Sequence, residues 1–217
     1  MKLARVMLYA SVLFFVLIII FSPFVSNADP LDVWHTRNSS IPDWLYGIAH
    51  GNDIFIAVGA QGRILTSATG VNWEIRSSPT TSTLSGVTFG KGTFVAVGTE
   101  GTILTSPTGI DWTPRASNVT STLKRVTFGN GTFVAVGIEG ASLAGGNRGT
   151  ILASTDGVNW TKDPENPVLS PGPSGTWDSY SVAGMSVLEN SGKYKMWYFG
   201  SKLSVATCIG YAEMPHN

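Results

Sequence analysis

Hydrolysis at an acetal or ester centre needs a pair of carboxylates at a set separation, an activated nucleophile, or a bound metal. The acidic side chains that could supply the first fall mostly in segments that read as turns, among them Asp53, Glu100, Glu139, Asp156 and Glu189. Asp178, beside Trp177, is the best single candidate for a pocket carboxylate, on the strength of a family resemblance; the competing role for it is capping a turn. His35, His50 and His216 are scattered without metal-ligand spacing, and no Gly-x-Ser-x-Gly elbow is present. Arg37, Arg76 and Arg115 recur every 39 residues, which points to a structural role repeated with the fold more simply than to a substrate clamp. No cofactor motif is found. Binding groups are easier to nominate: Glu139, Asn147 and Arg148 bound a Gly-rich insertion, and Tyr180, Trp197 and Tyr198 offer aromatic surface for stacking.

The positioning elements follow from an internal repeat. Leu84 to Thr122, LSGVTFGKGTFVAVGTEGTILTSPTGIDWTPRASNVTST, is copied imperfectly on both sides; Trp34, Trp73 and Trp112 are spaced by 39 residues, as are Gly59, Gly98 and Gly137. A period near 40 fits propeller blades or helical arrays. Each unit holds about four short β-branched or aromatic runs cut by Gly, Asn and Ser turns, with no 3.6-residue periodicity, so the expectation is an all-β chain: a β-propeller of four-stranded blades of about 39 residues, small or incomplete, with three clear repeats and a C-terminal blade-like segment. Phe94-Val95-Ala96-Val97 is apolar at every position, which requires burial on both faces. Trp73, Trp112 and Trp160 are expected at equivalent buried positions.

The third unit is longer. Trp112 and Trp160 lie 48 residues apart, and the nine extra residues fall within Glu139 to Arg148, EGASLAGGNR, a loop extension of the kind that often carries binding residues. After Lys162 the chain turns Pro-rich over Asp163 to Gly175 and then offers strands at Met185–Leu188, Tyr194–Phe199 and Ile209–Ala212. Asp32 to Arg37, DVWHTR, matches the strands NWEIR and DWTPR that end two of the units. Val33 to Arg37 is therefore expected to pair with a strand of the last blade and close a ring of about four blades.

Composition sets outer limits. Charged residues are 13% of 217, with 14 basic and 14 acidic side chains, and nothing clusters into a nucleic-acid footprint. Met1 to Ala28 has a basic start, an apolar run from Val6 to Val25 and small residues before Asp29, the form of a secretory signal peptide. The expected organisation is a signal peptide over 1–28, propeller repeats over 29–162, and a connector with a blade-like segment over 163–217. The destination would be secreted, periplasmic or cell-surface, with a membrane tie only if the apolar run stays uncleaved. Cys208, the single cysteine, sits in a strand-like run and is expected as a buried small hydrophobe. Asn38, Asn118, Asn130 and Asn159 head N-x-S/T triplets.

Two resemblances sharpen this. Ser67 to Trp73 (SATGVNW), Ser106 to Trp112 (SPTGIDW) and Ser154 to Trp160 (STDGVNW) resemble the Asp-box, or BNR-like, repeats of the sialidase-superfamily propellers, over about Trp34 to Trp160. That likeness implies a structural box made of Ser154, Asp156, Gly157 and Trp160, with Trp73 and Trp112 in the other copies; here the box is one residue short, and Thr69 and Thr108 replace the Asp. A Phe/Tyr-Arg-Ile-Pro segment typical of sialidases is absent. Asn166-Pro167-Val168-Leu169, Trp177-Asp178, Gly192 to Tyr198 and Ile209 to Ala212 look like blade segments of five-bladed propeller glycoside hydrolases, the arabinanase and invertase-like group. That resemblance implies carboxylates converging from several blades, of which Asp178 alone is in place. The combined expectation is a secreted, non-catalytic propeller that binds a polysaccharide or a cell-surface protein; the alternative is a truncated or divergent propeller glycosidase.

Overall fold

In the computed structural model, residues 44–139, 148–202 and 206–215 are described. They form fifteen strands and two short 3-10 turns, with no α-helix among them. The first sheet is β1 (Leu45–Gly51), β2 (Ile54–Gly59), β3 (Ile64–Ser67) and β4 (Glu74–Arg76); the second is β5 (Leu84–Gly90), β6 (Thr93–Gly98), β7 (Ile103–Ser106) and β8 (Thr113–Arg115). The third holds β9 (Thr122–Gly129), β10 (Thr132–Glu139), β11 (Arg148–Ser154) and β12 (Thr161–Lys162), and the fourth has three strands, β13 (Ser181–Asn190), β14 (Lys193–Lys202) and β15 (Ala206–Pro215). Every sheet is an antiparallel meander in chain order, the architecture of propeller blades, and the innermost strands β1, β5, β9 and β13 pack in succession.

The repeat explains the meander. β1 and β2, β5 and β6, β9 and β10, and β13 and β14 are joined by two-residue turns, Asn52-Asp53, Lys91-Gly92, Asn130-Gly131 and Ser191-Gly192, with positive φ at both positions. That is the hairpin whose twist matches the flanking strands, which is why Asn, Asp and Gly recur there.

Blades stack through the second strand. Phe94, Val95, Ala96 and Val97 are all inaccessible to solvent, because Phe94 and Ala96 face the first blade while Val95 and Val97 face the third. Phe89 fits over Gly51 and Phe128 over Gly90, so a Cβ at either glycine would overlap the neighbouring ring. The same register puts Glu189 over Gly129, where Asn130 Nδ2 and the Gly192 amide donate to its carboxylate at 3.2 and 2.8 Å. Tyr194 takes the place of Phe94 and Phe133 in the last blade, and its hydroxyl donates to the carbonyls of Gly129 and Thr132.

Four expectations need correction. Trp112 and Trp160 are 8% and 7% exposed, but Trp73 is only half-buried. Each Trp packs against the blade before its own: Trp112 shares a core with Ile56, Val58 and Ile64, and Trp160 with Val95, Val97 and Ile103. Among the described residues no blade precedes the first, and Ile48, at the position of Val87 and Val126, is accordingly 63% exposed where they are 8%. Cys208 is exposed rather than buried, because β15 is the outermost strand of a three-stranded sheet. Glu139 and Glu189 end up in strands and not in turns. The last blade's strands are ten residues each, longer than the apolar runs alone implied. The expected pairing of Val33 to Arg37 and the Met1 to Ala28 leader lie outside the described residues.

Replacing Trp112 by Ala removes a buried indole and should cost about 3–5 kcal/mol. Trp73→Ala, at a half-solvated copy of the site, should cost about 1–2 kcal/mol. Chemical denaturation of both variants checks this: equal losses would contradict the stacking direction.

Candidate functional site

The repeated box is a hydrogen-bonded turn closed by its own tryptophan. In the third blade the Asp156 carboxylate accepts the backbone amides of Val158 and Asn159, both at 2.8 Å, the Asn159 side-chain amide at 2.7 Å and the Ser154 hydroxyl at 2.9 Å. Ser154 Oγ accepts the Gly157 amide, and Trp160 Nε1 donates to the Gly157 carbonyl at 2.9 Å. Gly157 has φ 76, the left-handed conformation that the turn requires. These donors hold the Asp156 carboxyl well below the ordinary aspartate value of 3.8, with the Asn159 amide the largest contributor. In the other two copies the Ser and Trp bonds are kept: Gly70 and Gly109 amides donate to Ser67 and Ser106, and Trp73 and Trp112 donate to the Gly70 and Gly109 carbonyls. Thr69 and Thr108 each accept one amide, at 3.3 Å, in place of the carboxylate's fuller set. The box Ser and Trp side chains are thus bonded to the backbone of their own turns in all three copies. Arg76 and Arg115 are likewise engaged within their blades, each donating through Nε to Thr66 or Thr105 at 2.8 Å; Arg37 lies outside the described residues.

The insertion is the hairpin loop between β10 and β11, whose last paired residues are Glu139 and Arg148. Glu139 is ion-paired with Lys162 at 3.0 Å. Asn147 lies outside the described residues.

Asp178 sits in the turn Thr176–Ser179 and accepts the Thr176 hydroxyl at 2.8 Å. Trp177 and Tyr198 stack beside it, ring centres 5.8 Å apart and 26° from parallel. Burial, and then the Asp178 charge, raise the Tyr198 hydroxyl above the ordinary phenol value. No group of three or more His, Cys, Asp or Glu among the described residues could hold a metal ion.

Sequence reasoning grouped Tyr180, Trp197 and Tyr198 as one aromatic surface, and the strand separates them. Neighbouring residues of β14 point to opposite faces. Tyr194, Met196 and Tyr198 turn to the third blade, while Trp197 and Phe199 turn outward. The outward face also carries Leu188, Ile209 and Tyr211; Trp197 and Tyr211 are cross-strand partners with ring centres 5.5 Å apart. Phe199, Ile209 and Tyr211, which complete this exposed face, were missed. The alternation in Lys193-Tyr194-Lys195-Met196-Trp197-Tyr198-Phe199 was the signal that could have found it. Tyr180 bonds through its backbone amide to Ser201 at the far end of the sheet.

No protein-family model matches the sequence, and no curated protein matches it. Solved structures do resemble the fold. A glycoside hydrolase, GH43B of the Bacteroides ovatus xyloglucan locus, superposes with a TM-score of 0.50 at 16% identity, over 83% of this chain and 40% of its own. The β-1,2-mannobiose phosphorylase of Listeria innocua, in complex with β-1,2-mannobiose, matches with 0.50 at 14%, over 86% and 76%. YCF48 bound to D1 peptide matches with 0.52 at 14%, over 78% and 55%. At these identities the likeness establishes the propeller fold alone, and the chain spans less than half the length of the GH43 protein.

The box geometry predicts opposite outcomes for one substitution at two sites. Thr69→Asp faces Asn72, the counterpart of Asn159, and should raise the unfolding temperature by about 2 °C. Thr108→Asp faces Asp111 instead, so like charges meet and the temperature should fall. Thermal unfolding of the two variants at neutral pH measures this; a rise in both would show that the residue after the box valine or isoleucine does not matter.

Proposed function

We propose that this chain is a non-catalytic propeller module that binds a carbohydrate through the outward face of its last blade, in a secreted, periplasmic or cell-surface setting reached through the Met1 to Ala28 leader, with BNR-like box turns as its structural repeat. The observation that carries the reading is the exposed Trp197–Tyr211 pair, flanked by Phe199 and Ile209, the latter 69% exposed. Contiguous apolar surface of this kind marks interaction sites, and aromatic rings with a polar tip suit the mixed faces of a sugar ring. Glu213, hydrogen-bonded by Tyr211 and paired with Lys193, adds polar groups at the rim. The box carboxylate and arginines are consumed by the scaffold, which leaves the acidic positions free to vary from blade to blade.

A second reading, a truncated or divergent propeller glycoside hydrolase, is favoured by the names that several structural neighbours carry, GH43 and β-1,2-mannobiose phosphorylase among them. It requires a second carboxylate working with Asp178 across the scissile bond. Titrating the purified chain with arabinan and fructan polymers, alongside turnover assays on aryl glycosides, separates the two. Saturable binding without turnover is expected, weakened at least about tenfold in Trp197→Ala, a loss of the size of one aromatic contact. Turnover that disappears in Asp178→Asn would establish the enzyme instead.

A further inference from the structure

The innermost strand of each of the first three blades carries one extra residue at the same place. Val58 and Gly59 pair with Gly47 and Leu45, Val97 and Gly98 with Gly86 and Leu84, and Val136 and Gly137 with Arg125 and Leu123. Tyr46, Ser85 and Lys124 are the residues left over, spaced by 39 along the chain. These three differ in every copy, whereas the Leu before them and the Val across from the bulge do not change. A bulge bends its strand and re-aims the side chains beside it. Neighbours in a regular strand point to opposite faces. Here Lys124 and Arg125 both line one cavity, and Tyr46 and Ser85 line it with them. Close backbone approach brings the bulges together: a Cβ on Gly47 would stand 3.0 Å from Gly86 Cα, and one on Gly86 3.2 Å from Arg125 Cα.

The cavity measures about 330 Å³, and Thr83 and Thr99, joined by a backbone bond of 2.9 Å, complete its wall. Its charge has one sign: two cations stand beside hydroxyls and the exposed Tyr46 ring, with no carboxylate among the described lining residues. Among the described residues Lys124 bonds to nothing. Arg125 commits Nη1 alone, to the carbonyls of Ser85 and Lys124 at 3.1 and 2.8 Å, which leaves Nε and Nη2. Carboxylates in the adjoining turns are engaged elsewhere, Glu100 with Ser82 and Glu139 with Lys162. Outside the described residues, side-chain carboxylates occur at Asp29, Asp32 and Asp43 alone. The 39-residue repeat sets these level with Ala68, Val71 and Ser82, none of which lines the cavity. The chain's own repeat therefore assigns no anion to the two cations. Variation confined to residues that share a cavity, beside positions that recur, is the pattern of a contact surface and not of packing.

We propose that this cavity is a second ligand site, apart from the outward face of the last blade, and that it takes an acidic sugar residue of the hexuronate class. Only the choice of a carbohydrate rests on the function proposed above. The sugar carboxylate meets Lys124 Nζ and the uncommitted nitrogens of Arg125, the Thr99 hydroxyl bonds a sugar hydroxyl, and the ring lies against Tyr46. Charge-assisted bonds to a carboxylate are roughly twice as strong as neutral ones, so the acid group decides the selection. The aromatic face adds contact without regard to charge.

The probe is trigalacturonate, titrated calorimetrically against the full chain at neutral pH, with its methyl ester as an uncharged counterpart of the same shape. Saturable binding of the acid is expected, weakening as salt is raised. The ester should bind at least about tenfold more weakly. Lys124→Gln, at a side chain that bonds to nothing in the sheet, should lose about tenfold in affinity for the acid and nothing for the ester. Lys124→Glu should abolish binding of the acid. Trp197→Ala should leave it unchanged, which tells a failure of this site from a failure of the last-blade site. The proposal fails if the chain does not bind the acid, if acid and ester bind alike, or if both Lys124 variants bind as the parent does. It also fails if binding emerges only in a chain carrying Asp29→Asn, Asp32→Asn and Asp43→Asn together, which would make the cavity a seat for the chain's own carboxylates.

Discussion

The structure depends on one contact repeated along the chain: two antiparallel sheets meeting face to face across a dry layer of β-branched and aromatic side chains. No blade here has a core of its own. The four residues Phe94 to Val97 have solvent on neither side only because blades stand before and after them, and a two-faced apolar strand left uncovered on one side loses roughly half the burial that holds it. Stability therefore resides in interfaces more than in units, as in other repeat architectures.

This constraint explains where variation is tolerated. The glycines that receive a neighbour's ring, Trp112 and Trp160, and the apolar second strand are fixed by contact with the adjacent blade, and the box Ser by its own turn. The turn residues Asp53 and Glu100 face solvent and differ from copy to copy, and the insertion after Glu139 occurs in one copy alone. At the last blade the pattern itself changes: Tyr194 and Glu189 replace a pair of Phe rings with hydrogen bonds to the blade before, so the same packing position becomes polar without losing its partners. The outward face, with no further blade among the described residues, keeps Trp197, Phe199, Ile209 and Tyr211 exposed.

Blade architecture was legible in the sequence because it is local. A 39-residue period without a 3.6-residue pattern, two-residue turns with Asn, Asp and Gly, and a four-residue apolar strand together have one physical reading. The box was legible too, since Ser, Gly and Trp at fixed offsets leave few ways to close a turn. Burial at the ends was not: Trp73 carries the same motif as Trp112, and only the presence or absence of a preceding sheet decides its exposure. For the same reason Cys208 read as buried. The aromatic set of the last blade was grouped by nearness along the chain, whereas a strand sends Trp197 and Tyr198 to opposite faces. Asp178 was found by resemblance, and the structure shows it bonded to Thr176 in a turn.

If stacking is the source of stability, the second strands of adjacent blades must open together. Native-state amide hydrogen exchange reads this directly, at Val95 and Val97 in the second blade and at Val134 and Val136 in the third. All four amides should exchange through a single opening with the free energy of global unfolding, and should lose protection equally when Trp160, which bridges the two blades, is replaced by Ala. Independent opening of the third blade, with Val95 and Val97 retaining full protection in that variant, would contradict the account.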